Sequence, residues 1–222
     1  MTLFLDTGDI KEVKKYLDMG IIEGVTTNPT ILKKSGIKNV EKACKEIAKL
    51  IYPKPLSVEL TQNDSITAMI NEAKEKVKWA SNIVIKVPFH GPKGETDNIK
   101  VIKKLSDDRI KVNVTAMMSA QQCYLAALAG ARYVSLFCGR VNNMGYNSVD
   151  ELKKLRKLLD MQRSTSEIIC ASTREVLNII EWLEAGGHIV TVVPDLLEKM
   201  IVHPYTKETV DMFLKDAKTW KK

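Results

Sequence analysis

No long apolar run occurs in the 222 residues, and nothing approaches the ~20 that would carry a helix across a bilayer. Aromatic side chains are few (Phe 4, Tyr 6, Trp 3) and no basic run is interleaved with them. That argues against a platform for stacking single-stranded nucleic acid. Cysteine is sparse. Cys44, Cys123, Cys138 and Cys170 form no C-x-x-C pair, and His90, His188 and His203 lie far apart in sequence. Neither a disulfide framework nor a structural zinc site is expected. The N-terminal stretch reaches Asp6 too early for the apolar core of a signal peptide. Pro/Gly/Ser-rich linkers and low-complexity tracts are also missing. A reduced, cytoplasmic, non-membrane protein is expected.

What is present is ordinary in bulk, with 45% hydrophobic and 27% charged residues. Lys+Arg 34 against Asp+Glu 27 gives a net charge of +7. Such an excess suits nucleic acid, an anionic membrane surface or phosphorylated small molecules, and placement must decide among them. The lysines spread over helical faces, as at Lys11, Lys14 and Lys15, which reads as a solvated surface.

Eight short, β-branched apolar runs recur along the chain. They span Leu3–Leu5, Gly24–Thr26, Leu56–Leu60, Ile83–Val87, Ile110–Val114, Tyr133–Phe137, Ile168–Ala171 and Ile189–Val193. Most alternate poorly, as parallel strands buried on both faces do. Between them lie segments of helical period. Asp9–Met19, for example, carries Ile10, Val13 and Leu17 on one stripe. Gly20, Gly130, Gly186 and Gly187 stand where helices should stop. Eight alternations in this length predict a (β/α)8 TIM barrel with an extra C-terminal helix. The whole chain, 1–222, reads as one domain, with 206–222 as the tail helix. An open doubly wound sheet competes, but the first turn, Asp6-Thr7-Gly8-Asp9, has no G-x-G-x-x-G.

A barrel carries its chemistry at the carboxyl ends of its strands. Lys86 stands out there, inside the most apolar run, Ile83-Val84-Ile85-Lys86-Val87-Pro88. A lysine in such a run either snorkels to an edge or is a desolvated amine able to attack a carbonyl. Binding a phosphate is a third role open to it. Asp6 and Glu59 sit near other strand ends. Asp6 reads equally as a cap for the following helix, and Glu59 as a partner for any nearby lysine. With Lys86 they would make an amine-plus-two-carboxylates site, suited to Schiff-base chemistry. Only six arginines occur, and two of them, Arg140 and Arg174, fall right after predicted strands. Their planar forks suit an anionic group such as phosphate, although a solvated rim arginine reads the same way singly.

Taken together, Phe4-Leu5-Asp6-Thr7, Gly24-Val25-Thr26-Thr27-Asn28-Pro29, Ile85-Lys86-Val87-Pro88, Asn113-Val114-Thr115, Phe137-Cys138-Gly139-Arg140 and Ala171-Ser172-Thr173-Arg174 resemble the transaldolase family. The resemblance runs in order along nearly the whole chain, and the length fits the small branch that also contains fructose-6-phosphate aldolases. It implies a (β/α)8 barrel with a Schiff-base lysine on the fourth strand, here Lys86. It implies Asp6 as the group that takes the C4 hydroxyl proton, with Glu59 and Thr115 holding a proton-shuttling water. Thr26, Asn28, Asn113, Ser135 and Phe137 would line the sugar site, and Arg140, Ser172 and Arg174 would hold the phosphate. No metal or organic cofactor is implied. The partners implied are phosphorylated ketoses and aldoses, together with copies of the chain in pentameric rings or pairs of rings. Glu59, Phe137 and Asn113 resemble transaldolases. The aldolases, which release dihydroxyacetone, tend to carry Gln and Tyr at the first two positions and to lack the Asn. Residues 89–96, Gly/Pro-punctuated and longer than the resemblance predicts, are expected to overhang the site, with His90 facing solvent.

Overall fold

A computed structural model describes residues 1–220. Eight parallel strands close into a barrel in the order β1 to β8. The strands are β1 (Thr2–Asp6), β2 (Val25–Thr26), β3 (Leu56–Glu59), β4 (Ile83–Pro88), β5 (Val112–Met117), β6 (Tyr133–Leu136), β7 (Glu167–Cys170) and β8 (Ile189–Val192). β1 pairs with both β2 and β8, which is what closure requires. Each predicted run overlaps one strand, so the (β/α)8 reading holds.

The helices are α1 (Ile10–Asp18), α2 (Pro29–Lys34), α3 (Val40–Ile51), α4 (Ile66–Lys76), α5 (Asn98–Asp107), α6 (Ala120–Leu128), α7 (Cys138–Asn143), α8 (Ser148–Met161), α9 (Val176–Glu184), α10 (Pro194–Ile201) and α11 (Pro204–Thr219). Local chemistry starts several of them. The side chains of Asp9, Asn28, Asn39, Ser65, Ser119 and Asn147 each accept an N–H from the first turn they precede. Because Asp9 caps α1, Asp6 is released from that role. Gly20, Gly130 and Gly186 adopt positive φ after α1, α6 and α9, the conformation that ends a helix.

Two helices, α2 and α7, escape the sequence pattern. At six residues each they are too short to show a 3.6-residue period. The tail helix begins at Pro204, ahead of the expected 206. Proline suits the first helical position, and His203 Nδ1 accepts from the Tyr205 N–H at 3.2 Å. Residues 221–222 of the expected tail lie outside the described residues. No residue of α11 is buried, and Val210, Met212, Phe213 and Leu214 are exposed, so this helix does not cover the barrel's own floor.

Most of the core fills the space between strands and helices, where Val13, Cys44, Ile47, Leu105, Leu155 and Trp182 are fully buried or nearly so. All four cysteines are buried as free thiols. Burial pushes the Cys44 thiol up to about 11, which keeps it inert as a nucleophile. No helix among the described residues is long and apolar enough to cross a membrane.

Candidate active site

The barrel interior is built in layers by the two-residue period of the strands. Phe4, Val84, Tyr133, Ile169 and Ile189 form one buried apolar cluster, the floor, with Phe4 and Tyr133 edge to face at 6.1 Å. Two residues further along the same five strand paths come Asp6, Lys86, Ser135, Ala171 and Thr191. All five line a cavity of about 510 Å³ at the carboxyl ends of the strands. Its size is ordinary for a small-molecule site.

Lys86 is only 5% exposed. Its Nζ donates to the Thr27 carbonyl at 2.8 Å and lies 3.2 Å from Glu59 Oε2. The register aligns Glu59 with Lys86 and Lys86 with Asn113, so the ion pair is fixed by neighbouring strands rather than by loops. The amine therefore has one hydrogen bond, to the Thr27 carbonyl, and one charge partner, Glu59. The snorkelling alternative is thereby excluded, because the amine is held inside the barrel.

Asp6 enters the same cavity from β1. Its Oδ1 accepts from Thr26 Oγ1 at 2.6 Å. Burial pushes the Asp6 carboxyl above its ordinary range, and the nearby Glu59 charge adds to that. Lys86 and the Thr26 hydroxyl pull the other way without cancelling it. Such a carboxylate is a stronger base than one in water.

Thr115 is 1% exposed, lines the cavity, and its hydroxyl has no hydrogen-bond partner among the described residues. Buried hydroxyls are rarely left unpaired, and at a functional site a ligand or water is the usual partner. Its placement depends on a register shift in β5 between Val114 and Met117, where Ala116 takes φ +60°.

Asn28 caps α2 by accepting from the Ile31 N–H at 2.9 Å, which leaves its amide NH2 to the cavity it lines. Asn113 is fully buried and does not line the cavity. It donates to Ser57 Oγ at 3.2 Å and accepts from Ser135 Oγ at 2.7 Å, so any substrate contact passes through Ser135. Phe137, Arg140, Ser172 and Arg174 line the far wall. Arg140 stands 5.5 Å over the Phe137 ring, and neither Arg140 nor Arg174 makes an ion pair among the described residues. Gly139 lets this wall close: a Cβ there would sit 1.8 Å from the Ser172 carbonyl oxygen. Ser172 itself holds φ +67°, a strained value for a residue with a side chain.

Among the lining residues that sequence reasoning missed are Thr191, Lys34 and Thr173. Thr191 lines the cavity from β8, whereas Pro194-Asp195, just past the strand, begins α10. Counting in twos from Ile189 would have found it. Lys34 lines the rim from the last turn of α2, and Thr173 lines it after β7. The expectation for residues 89–96 needs correcting. None of them lines the cavity, because the loop folds on itself: Gly91 N–H donates to the Glu95 carbonyl at 2.9 Å and Phe89 is buried in the core. His90 is exposed, as expected.

The chain is thus a (β/α)8-barrel enzyme with an amine and two carboxylates converging at the carboxyl ends of its strands. The family model described as Transaldolase/Fructose-6-phosphate aldolase matches residues 3–222. Relatives over nearly full length include a probable transaldolase of Clostridium kluyveri, 39% identical over 97% of this chain and 97% of its own. Another, from Carboxydothermus hydrogenoformans, is 39% identical over 100% of both chains. A third, from Nitrosopumilus maritimus, is 36% identical over 100% of this chain and 96% of its own. The chain belongs to the transaldolase/fructose-6-phosphate aldolase family.

Proposed function

We propose that this protein is a transaldolase, moving a dihydroxyacetone unit between sugar phosphates of the pentose phosphate pathway through a Schiff base on Lys86. The observation that carries the reading is the Lys86 amine, buried and 3.2 Å from Glu59, in one cavity with the Asp6 carboxylate. Lys86 Nζ attacks the ketose C2 carbonyl, and loss of water gives an iminium. Glu59 and Thr115 hold the water that carries protons in this step, a role the unpaired Thr115 hydroxyl supports. Asp6 then takes the C4 hydroxyl proton, C4 becomes an aldehyde, and the C3–C4 bonding pair moves into the enamine. An acceptor aldehyde reverses these events, and hydrolysis frees the lysine.

Asn28 and Ser135 hydrogen-bond the three-carbon unit, with Asn113 orienting Ser135. Phe137 brings no hydroxyl that could help water protonate the enamine, so the intermediate persists for transfer. Arg140, Ser172 and Arg174 take the phosphate. Operation in the cytoplasm and assembly with copies of the chain, pentameric or decameric, belong to the same proposal. The uncovered apolar residues of α11 support the assembly.

The test is glyceraldehyde 3-phosphate formation from fructose 6-phosphate, with and without erythrose 4-phosphate. Turnover should require the acceptor. Equally fast release of dihydroxyacetone without it would make the protein a lyase. Arg174→Ala should raise KM for fructose 6-phosphate by roughly 10- to 100-fold, since a charge-assisted hydrogen bond contributes about 1.5–3 kcal/mol. The variant's preference for phosphorylated over unphosphorylated ketose should shrink by the same factor, which parallel KM measurements on fructose would read.

A further inference from the structure

Thr191 has no part in the reaction just described, yet its geometry reaches the proton acceptor. Its Oγ1 lies 2.5 Å from Thr26 Oγ1, and Thr26 Oγ1 donates to Asp6 Oδ1 at 2.6 Å. Distance alone leaves the donor of the threonine pair undecided. Chemistry decides it. A threonine hydroxyl has one proton, and that of Thr26 is given to the carboxylate. Thr191 is therefore the donor to Thr26, and the chain runs Thr191 O–H to Thr26 O–H to Asp6. Both threonines are 3% exposed. β1, which carries Asp6, lies between β2 and β8, so Thr26 and Thr191 reach it from both flanking strands. A donor from Thr173 Oγ1 to the Thr191 carbonyl at 3.3 Å ties Thr191 to the wall of the cavity.

We propose that Thr191 is a positioning residue which, through Thr26, fixes the Asp6 carboxylate in the orientation and ionised form that accept the substrate proton. The reaction it serves rests on the function proposed above, whereas the hydrogen-bonded chain does not. Two charged groups and burial, besides the hydroxyl chain, act on Asp6. Lys86 from β4 favours its charge; Glu59 from β3 and burial itself oppose it. The chain is the uncharged support. Consecutive hydroxyls polarise one another, so Thr26 donates more strongly while Thr191 donates to it. No proton travels along the chain. The substrate proton ends on Asp6, and the threonines set where that carboxylate points.

The experiment compares Thr191→Val, which keeps the shape and loses the hydroxyl, with Thr191→Ser, which keeps the hydroxyl. Carboxyl-carbon NMR follows the Asp6 titration in the full-length protein, with Asp6→Asn assigning the signal. The Asp6 midpoint should rise by about half a pH unit in Thr191→Val and return in Thr191→Ser. The acid limb of kcat for transfer from fructose 6-phosphate to erythrose 4-phosphate should move with it. That is a loss of about threefold below the midpoint, with KM changed by less than about twofold. Thr191→Ala removes the same hydroxyl should the valine variant fold poorly. An unmoved Asp6 midpoint, a serine variant as impaired as the valine one, or a raised KM with an unmoved pH profile would overturn the proposal. If the wild-type protein transfers nothing, the reaction and the positioning role fall together, while the carboxyl titration still decides the chain.

Discussion

Replacing Lys86 by alanine should lower kcat for sugar-phosphate transfer by at least about 10⁴-fold, the scale seen when a covalent nucleophile is removed. No other buried amine lines the cavity. Among the residues lining the cavity, the other basic groups are Lys34, Arg140 and Arg174, and all three are exposed. The loss should be confined to chemistry. Every other strand-end group keeps its backbone position, because the barrel ladders on either side of β4 do not involve the side chain. There is a local consequence. Lys86 is the charge that most favours ionised Asp6. Without it, Asp6 binds a proton more readily, and Glu59 loses its ion-pair partner. Circular dichroism should give an unchanged spectrum, and steady-state kinetics should show no turnover. A variant that unfolds would be replaced by Lys86→Met, which fills the space.

Asp6→Asn should lower kcat by about 10²- to 10⁴-fold, the usual range for removing a positioned general base. Asparagine keeps the shape and still accepts from Thr26, but it cannot hold the C4 hydroxyl proton. Schiff-base formation precedes that step, so borohydride should still trap fructose 6-phosphate on Lys86 in this variant. The two variants therefore fail at different points, which separates nucleophile from base. In the wild type the base acts only when ionised. Because Asp6 titrates above its ordinary range, activity should fall on acidification at a pH above the usual carboxylate value of ~3.9. The same shift has the opposite sign for folding. Between the unfolded and folded midpoints the native state binds the extra proton, so the Asp6 contribution to stability falls as pH rises through that window. Melting temperatures across it, in wild type and Asp6→Asn, should show the slope in the first and lose it in the second.

Much of this barrel is legible in the amino-acid sequence, for a physical reason. Each strand is a short β-branched run, and each long helix has a stripe wide enough to see. Lys86 was visible because a lysine in Ile83–Val87 costs too much to be idle. Glu59 was expected near Lys86, but its direct pairing follows from register between β3 and β4, a tertiary fact. Lys34 was hidden because α2 shows no period in six residues, and the Asn28-Pro29 cap was its only local sign. Thr191 was hidden for another reason. Threonine is a favoured strand residue, so one more in Ile189–Val193 carries no alarm. Residues 89–96 misled because glycine and proline mark a turn without saying which way it faces. Phe89, buried in the core, fixes that direction away from the cavity.

In the proposed reaction the carbon–nitrogen bond forms on Lys86. The most direct measurement is borohydride reduction of the protein with fructose 6-phosphate, followed by peptide mass analysis. One reduced three-carbon adduct is expected, on the peptide carrying Lys86, and none in Lys86→Ala. An adduct on any other lysine, or none in the wild type while transfer proceeds, would contradict it.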